Sequence, residues 1–178
     1  MTEEVIIEQK TKLKDDYESK SKVLDYLDSI KILLDEEDAD IAVQYALWLY
    51  TKTNMRLNPE VEKDFPLFSK GVYYGNLGKG VGAELEKDRP FVLLSGSSNS
   101  ETVIIIPISD DEKYIGSTFW YHVPLSTGDT ALVEQIRTIS KTRIRRPMRE
   151  GRIVRSLLDG ELIKINNAID KLKFYIKK

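Results

Sequence analysis

Apolar side chains recur at Val23, Leu27, Ile30 and Leu34, spaced by four, three and four residues. That spacing is one face of an amphipathic helix, and Leu13 and Tyr17 extend it weakly upstream. The acidic run DEEDAD at 35–40 breaks the stripe. Its carboxylates suit the start of a second helix, where they accept from free amides and meet the positive dipole end. That helix is expected from Ala39 to Thr53, with Ile41, Tyr45 and Trp48 on one side and Ala42, Ala46 and Leu49 beside them. So broad an apolar face predicts packing on something larger than the neighbouring helix. Asn54 is the expected stop, and NPEVEKDFPLFSKG (58–71), with two prolines, reads as a linker.

Beyond residue 70 the period changes. GVYYGNL (71–77), FVLLS (91–95), TVIIIPIS (102–109), FWYHVPL (119–125) and TALVEQIRT (130–138) are short β-branched or aromatic runs separated by turn signals. Strands at this spacing predict a small barrel or sandwich. A closing helix is expected from Ser156 to Tyr175, with Leu158, Leu162, Ile165, Ile169, Leu172 and Ile176 as its stripe. The division expected from this pattern is a helical extension and linker over 1–64 and a β domain over 65–178.

Composition narrows the chemistry. The chain has no cysteine and one histidine, which removes disulfides, thiolate metal sites and the usual zinc clusters. The start, MTEEVIIEQK, reads as neither a signal nor a transit peptide. The longest apolar run, VIIIPI, is too short to cross a bilayer, so a cytoplasmic protein without a membrane partner is expected. The net charge of −2 conceals an asymmetry: residues 1–60 hold 14 acidic and 8 basic residues, residues 61–178 hold 15 and 19. Each half could serve as the other's partner.

Several stretches are candidates for chemistry. Gly78, Gly80 and Gly82 follow a strand without a helix after them, so a hairpin loop is favoured over a phosphate cradle. Asp110, Asp111 and Glu112 are consecutive, and three consecutive carboxylates cannot converge on one magnesium ion; a solvated turn is favoured. His122, between aromatics, reads more readily as a packed, hydrogen-bonded side chain than as a general base. Lys141, Arg143, Arg145, Arg146, Arg149, Arg152 and Arg155 face a single Glu150 over fifteen residues. They form either a solvated loop or a phosphate-binding field. Arg89 opens one strand, its backbone pushed toward extended geometry by Pro90, and Ser109 ends another. On a barrel rim such strand ends can meet, and a guanidinium beside a hydroxyl could stabilise charge developing on a phosphorus centre.

Taken in order, GVYYGNLGKGVGAELEKDRPFVLL, TVIIIPIS, HVPL and ALVEQIRTISKTRI, closing on a helical tail, resemble the MazF/PemK family of toxin ribonucleases over about residues 70–175. The resemblance implies an α+β fold: an SH3-like β-barrel with a C-terminal helix, here preceded by a helical extension. It implies a homodimer, a growth-inhibiting toxin of a toxin–antitoxin module that cuts single-stranded RNA without metal or other cofactor. It places the RP arginine at Arg89, the hydroxyl of the third strand at Ser109 and the acidic residue of the glycine-rich loop at Glu84. Gln135 and Arg137 match the block that builds the cleft; Lys141, Arg143, Arg145 and Arg146 are the expected RNA contacts. The sequence departs from the pattern at Lys70-Gly71, where the family has an aspartate after glycine, at Ser109, where threonine is commoner, and in a shorter SGSSNSE loop. The partner implied is an acidic antitoxin, and the acidic extension of this chain could occupy the same groove, build an extra dimer interface, or be an added packing element on the back of the barrel. The alternatives are a silent DNA- or RNA-binding regulator on the same fold, and a protein-interaction module.

Overall fold

The structure is a computed structural model, and it describes residues 11–96 and 99–172. The MTEEVIIEQK stretch and the expected end of the last helix at Tyr175 and Ile176 lie outside the described residues. The fold is α+β. By its contacts the chain divides into Met1–Leu47 and Trp48–Lys178, so residues 48–64 group with the β domain.

In the first unit, helix α1 (Tyr17–Asp35) begins where the Asp16 carboxylate accepts from the Ser19 amide at 3.0 Å. Helix α2 (Ala39–Leu57) begins where Asp38 accepts from the amides of Asp40 and Ile41 at 3.0 and 3.3 Å. The acidic interruption therefore caps as its pattern predicts. Asn54 does not end α2: its carbonyl accepts from the Asn58 amide at 2.8 Å, so the helix runs one turn further. No residue of α1 or α2 is buried, and the expected broad contact for α2 reduces to its C-terminal part, which belongs to the second unit.

The second unit is built on antiparallel strands: β1 (Val72–Asn76), β2 (Asp88–Ser95), β3 (Thr102–Ser109), β4 (His122–Pro124), β5 (Thr130–Leu132), β6 (Arg137–Ser140) and β7 (Ile144–Pro147). Their order is β4-β5-β3-β2-β1-β7, with β6 on β3 as well. β3 pairs β6 through Thr102–Ile105 and β5 through Ile108–Ser109. The run read as one strand over 130–138 is thus two, parted by a 3-10 turn at Val133–Gln135. Residues 119–121 precede β4 and are not strand. The basic run is not a loop: it forms β7 and the small ribbon of β8 (Arg149–Glu150) and β9 (Ile153–Val154).

Register explains the apolar runs. Val72, Val92 and Ile106 lie opposite one another and face one core, with Ile108, Ala131 and Val133. Tyr73, Phe91, Leu93 and Ile105 face a second core, with Ile139 and Ile144. Because both faces are covered, these strands read as continuous apolar stretches rather than alternating ones. Helix α3 (Asp159–Leu172) covers the first face through Ile165 and Ala168. Gly75 lets β7 approach β1: a Cβ there would meet the Arg143 carbonyl oxygen at 2.6 Å and Phe91 Cε1 at 2.8 Å.

The start of α3 is fixed by a buried carboxylate. Glu161 accepts from the amides of Leu158 at 2.8 Å and Ser126 at 2.7 Å, the first contact being half of a capping box. It also pairs with the buried Arg155 at 3.4 Å, whose Nε reaches Glu150 at 3.0 Å. Arg155, counted in sequence among the phosphate-binding candidates, is therefore a bolt between α3 and the β8–β9 ribbon. Burial pushes the Glu161 carboxyl up, but the Ser126 and Leu158 amides, with Arg155, bring it below the ordinary glutamate value of 4.5.

Two expectations follow for stability. Gly75→Ala is expected to cost about 1–3 kcal/mol in urea unfolding, because a carbonyl cannot yield to the new methyl. Glu161→Gln is expected to cost about 3 kcal/mol at neutral pH, since it strips a buried guanidinium of one partner. A depressed carboxylate stabilises the fold above its unfolded value and loses that contribution as pH falls through its folded value. The gap between parent and Glu161→Gln should therefore close in unfolding curves taken well below pH 4.5.

Candidate active site

Arg89 and Ser109 meet because of strand register. β2 and β3 pair antiparallel with Phe91 opposite Pro107, and continuing that register by two residues brings Arg89 level with Ser109. Arg89 Nη1 donates to Ser109 Oγ at 3.3 Å, and its Nε donates to the Glu86 carbonyl at 3.1 Å. The exposed Asp110 carboxylate stands 3.6 Å from the same Nη1. Among the described residues Nη2 has no protein partner, so one donor edge is available to an incoming oxygen. The Arg89 side chain keeps 23% of its exposure.

Ser109 is fully buried. Its oxygen accepts from Arg89 and from the Asp111 amide at 3.2 Å. A phosphate reaching Arg89 in this arrangement would not touch that hydroxyl. The serine holds the guanidinium; it does not itself face a ligand. Glu84 is exposed at the tip of the β1–β2 hairpin, accepts from the Val81 amide at 3.3 Å, and makes no ion pair or hydrogen bond with Arg89 or Ser109. The carboxylate that the fold brings to Arg89 is Asp110. In sequence Asp110 reads as part of a solvated turn, and its place directly after the strand-ending Ser109 is the one signal that points to it.

Gln135 and Arg137 hold the hairpin tip. Gln135 Oε1 accepts from the Leu85 amide at 2.7 Å and its Nε2 donates to the Ala83 carbonyl at 3.3 Å. Arg137 Nη2 donates to the Leu85 carbonyl at 2.8 Å. Burial lowers the Arg137 pKa from its ordinary value, partly opposed by the nearby Glu84. Inside the hairpin Glu86 bridges Lys79 Nζ at 2.9 Å and the Gly80 amide at 3.3 Å. The glycines here build a braced turn.

The basic residues divide. Lys141 is buried at the start of a 3-10 turn. Arg143 donates to the Leu77 carbonyl at 3.0 Å and its guanidinium carbon lies 5.1 Å from the Trp48 ring. Arg145 pairs with Asp88 at 3.0 Å, next to Arg89. Arg146 lies opposite Tyr74 across the β1–β7 pair, its guanidinium 3.9 Å from the ring. Arg145 and Arg146 remain exposed. His122 is packed edge-on by Tyr114, Phe119 and Tyr121, and hydrogen-bonded to Ser117 at 2.7 Å and Glu134 at 3.3 Å. Among the described residues no group of three His, Cys, Asp or Glu could hold a metal ion.

A family model described as the PemK-like, MazF-like toxin of type II toxin–antitoxin systems matches residues 69–172, more than half of the chain. No curated protein matches it in sequence. Among solved structures it is similar to a MazF from Deinococcus radiodurans, with 14% identity, TM-score 0.49, and coverage of 61% of this chain and 97% of that one. It is also similar to an endoribonuclease in complex with its cognate antitoxin from a mycobacterial species, with 16% identity, TM-score 0.45, and coverage of 63% and 100%. At these distances no residue role follows from the likeness.

Gln135→Ala removes two bonds to the hairpin tip, about 1 kcal/mol each. Limited proteolysis in the 80–86 segment should accelerate roughly five- to thirtyfold. Cleavage at the parental rate would show that the tip is held by something else.

Proposed function

The chain belongs to the PemK-like, MazF-like toxins of type II toxin–antitoxin systems, and from that premise we propose that it is an endoribonuclease that cuts single-stranded RNA without a metal. The single observation that carries the reading is the Arg89 guanidinium, fixed by the Glu86 carbonyl and Ser109 with one donor edge to spare.

The reaction uses the substrate's own nucleophile. The 2′-oxygen bonds to the adjacent phosphorus, and its proton passes to a base. The bond from phosphorus to the 5′-oxygen breaks, and that oxygen takes up a proton. The ends are a 2′,3′-cyclic phosphate and a 5′-hydroxyl. Arg89 supplies charge for the phosphorane oxygens, worth more in a part-desolvated site than in water. Ser109 acts as a positioning residue for Arg89. Asp110 and Glu84 are the candidate bases, and the contact with Arg89 favours Asp110. The exposed Arg145 and Arg146 would track the phosphates beyond the scissile one. The working unit is a homodimer in the cytoplasm, where its messenger substrates are, and its partner is an acidic antitoxin. One observation favours a silent nucleic-acid binder instead: with Ser109 buried, a phosphate meets Arg89 and no hydroxyl.

The deciding measurement is cleavage of a long single-stranded RNA in EDTA. Parent protein should cut it to 5′-hydroxyl ends; Arg89→Ala should lose roughly 10²–10³-fold in turnover. Single-stranded DNA, which has no 2′-hydroxyl, should bind and stay whole. RNA left intact by the parent, yet bound, would establish the silent binder; equal cutting by both proteins would remove Arg89 from the chemistry.

A further inference from the structure

The family match begins at residue 69, yet the hairpin that leads into Arg89 rests on a residue twenty-one positions earlier. Trp48 lies in α2 and groups by its contacts with the β domain. Its six-membered ring lies directly on Gly78: a Cβ built there would come 2.5 Å from Trp48 Cζ2 and 2.8 Å from Cε2. Gly78 also has φ +92, so glycine is required there twice over. The Arg143 guanidinium lies 5.1 Å from the same ring and holds the neighbouring Leu77 carbonyl at 3.0 Å. Among the described residues no carboxylate pairs with Arg143, and burial lowers its pKa from the ordinary value. The indole face is thus a favourable neighbour for that part-desolvated charge.

Leu77 and Gly78 are the base of the hairpin. The Leu77 amide donates to the Lys87 carbonyl at 2.9 Å, and the Lys87 amide donates to the Gly78 carbonyl at 2.7 Å. Lys87 sits at φ +69, a conformation a lysine keeps only where its surroundings impose it. The next link is the Glu86 carbonyl, which receives Arg89 Nε. The tip of the hairpin has separate supports in Gln135 and Arg137. The base has Trp48 and Arg143.

We infer that Trp48 is a positioning residue: through Gly78 and Arg143 it fixes the hairpin base, and so the limb that presents Arg89. Part of the helical extension is thereby built into the catalytic module. This inference rests on the nuclease reading for its effect on turnover, and on geometry alone for its effect on the hairpin.

The test uses the full chain with Trp48→Ala, Trp48→Leu and Trp48→Phe, beside Tyr50→Ala as a control on the exposed side of α2. Hydrogen exchange at the Leu77 and Lys87 amides should speed about tenfold or more in Trp48→Ala, less in Trp48→Leu, and stay near parental in Trp48→Phe and Tyr50→Ala. Turnover of RNA should fall about ten- to a hundredfold in Trp48→Ala with KM close to parental, because misplacement of a positioned group costs rate rather than affinity. Trp48→Phe should restore most of it. Where Trp48→Ala fails to fold, Trp48→Leu carries the comparison. Equal exchange at Leu77 and Lys87 in all variants overturns the inference. Faster exchange in a protein whose parent cuts no RNA supports the strut and overturns the nuclease reading instead.

Discussion

Arg89 can present a donor edge only while the backbone carbonyl of Glu86 stays where its Nε needs it. That one hydrogen bond makes the site hostage to the segment between β1 and β2. The segment places only Leu77 and Leu85 in the core, and these anchor its two ends. The rest is held by the Gln135 and Arg137 side chains at the tip, the Glu86–Lys79 pair within the hairpin, and Arg143 and the packed Trp48 ring at the base. A loop supplied with so many external donors loses little entropy when a ligand arrives, which is the physical content of preorganisation.

The parts of the fold written in local pattern were legible in the sequence. The α3 stripe through Leu162, Ile165 and Ile169 has a clear period, and the core runs of β1 to β3 are apolar because both faces are covered. Arg89 and Ser109 were legible as strand ends, and their meeting follows from antiparallel register, which a strand prediction can only make possible. The basic run hid β7, β8 and β9, because charge on exposed strand positions masks strands of two to four residues. The resting place of Trp48 on Gly78 was not legible, since it depends on packing across thirty residues of chain. Nor was the burial of Ser109, which turns an expected phosphate contact into a support.

The fate of the arginines shows why residue counts misjudge an electrostatic field. Arg155, itself buried, is spent on the exposed Glu150 and the buried Glu161. Arg145 is paired with Asp88, and Arg149 with the Arg152 carbonyl. Arg137 and Arg143 serve hairpin carbonyls. Of the seven cations between 141 and 155, Lys141 and Arg155 are buried and Arg143 braces a hairpin carbonyl, while Arg145 and Arg146 stay exposed.

The same comparison isolates Arg89. Its ion pair is long, at 3.6 Å, with a carboxylate almost fully in water, so solvent screens the pairing and little of the guanidinium's charge is neutralised. Its two fixed donors go to neutral oxygens, which orient a cation without cancelling it. Arg155, by contrast, is itself buried and pairs with two carboxylates at 3.0 and 3.4 Å, the exposed Glu150 and the buried Glu161. One arginine is oriented and left charged; the other is neutralised and enclosed. An anionic transition state lowers its energy only beside a charge of the first kind, held still beforehand so that nothing need reorganise when the negative charge appears.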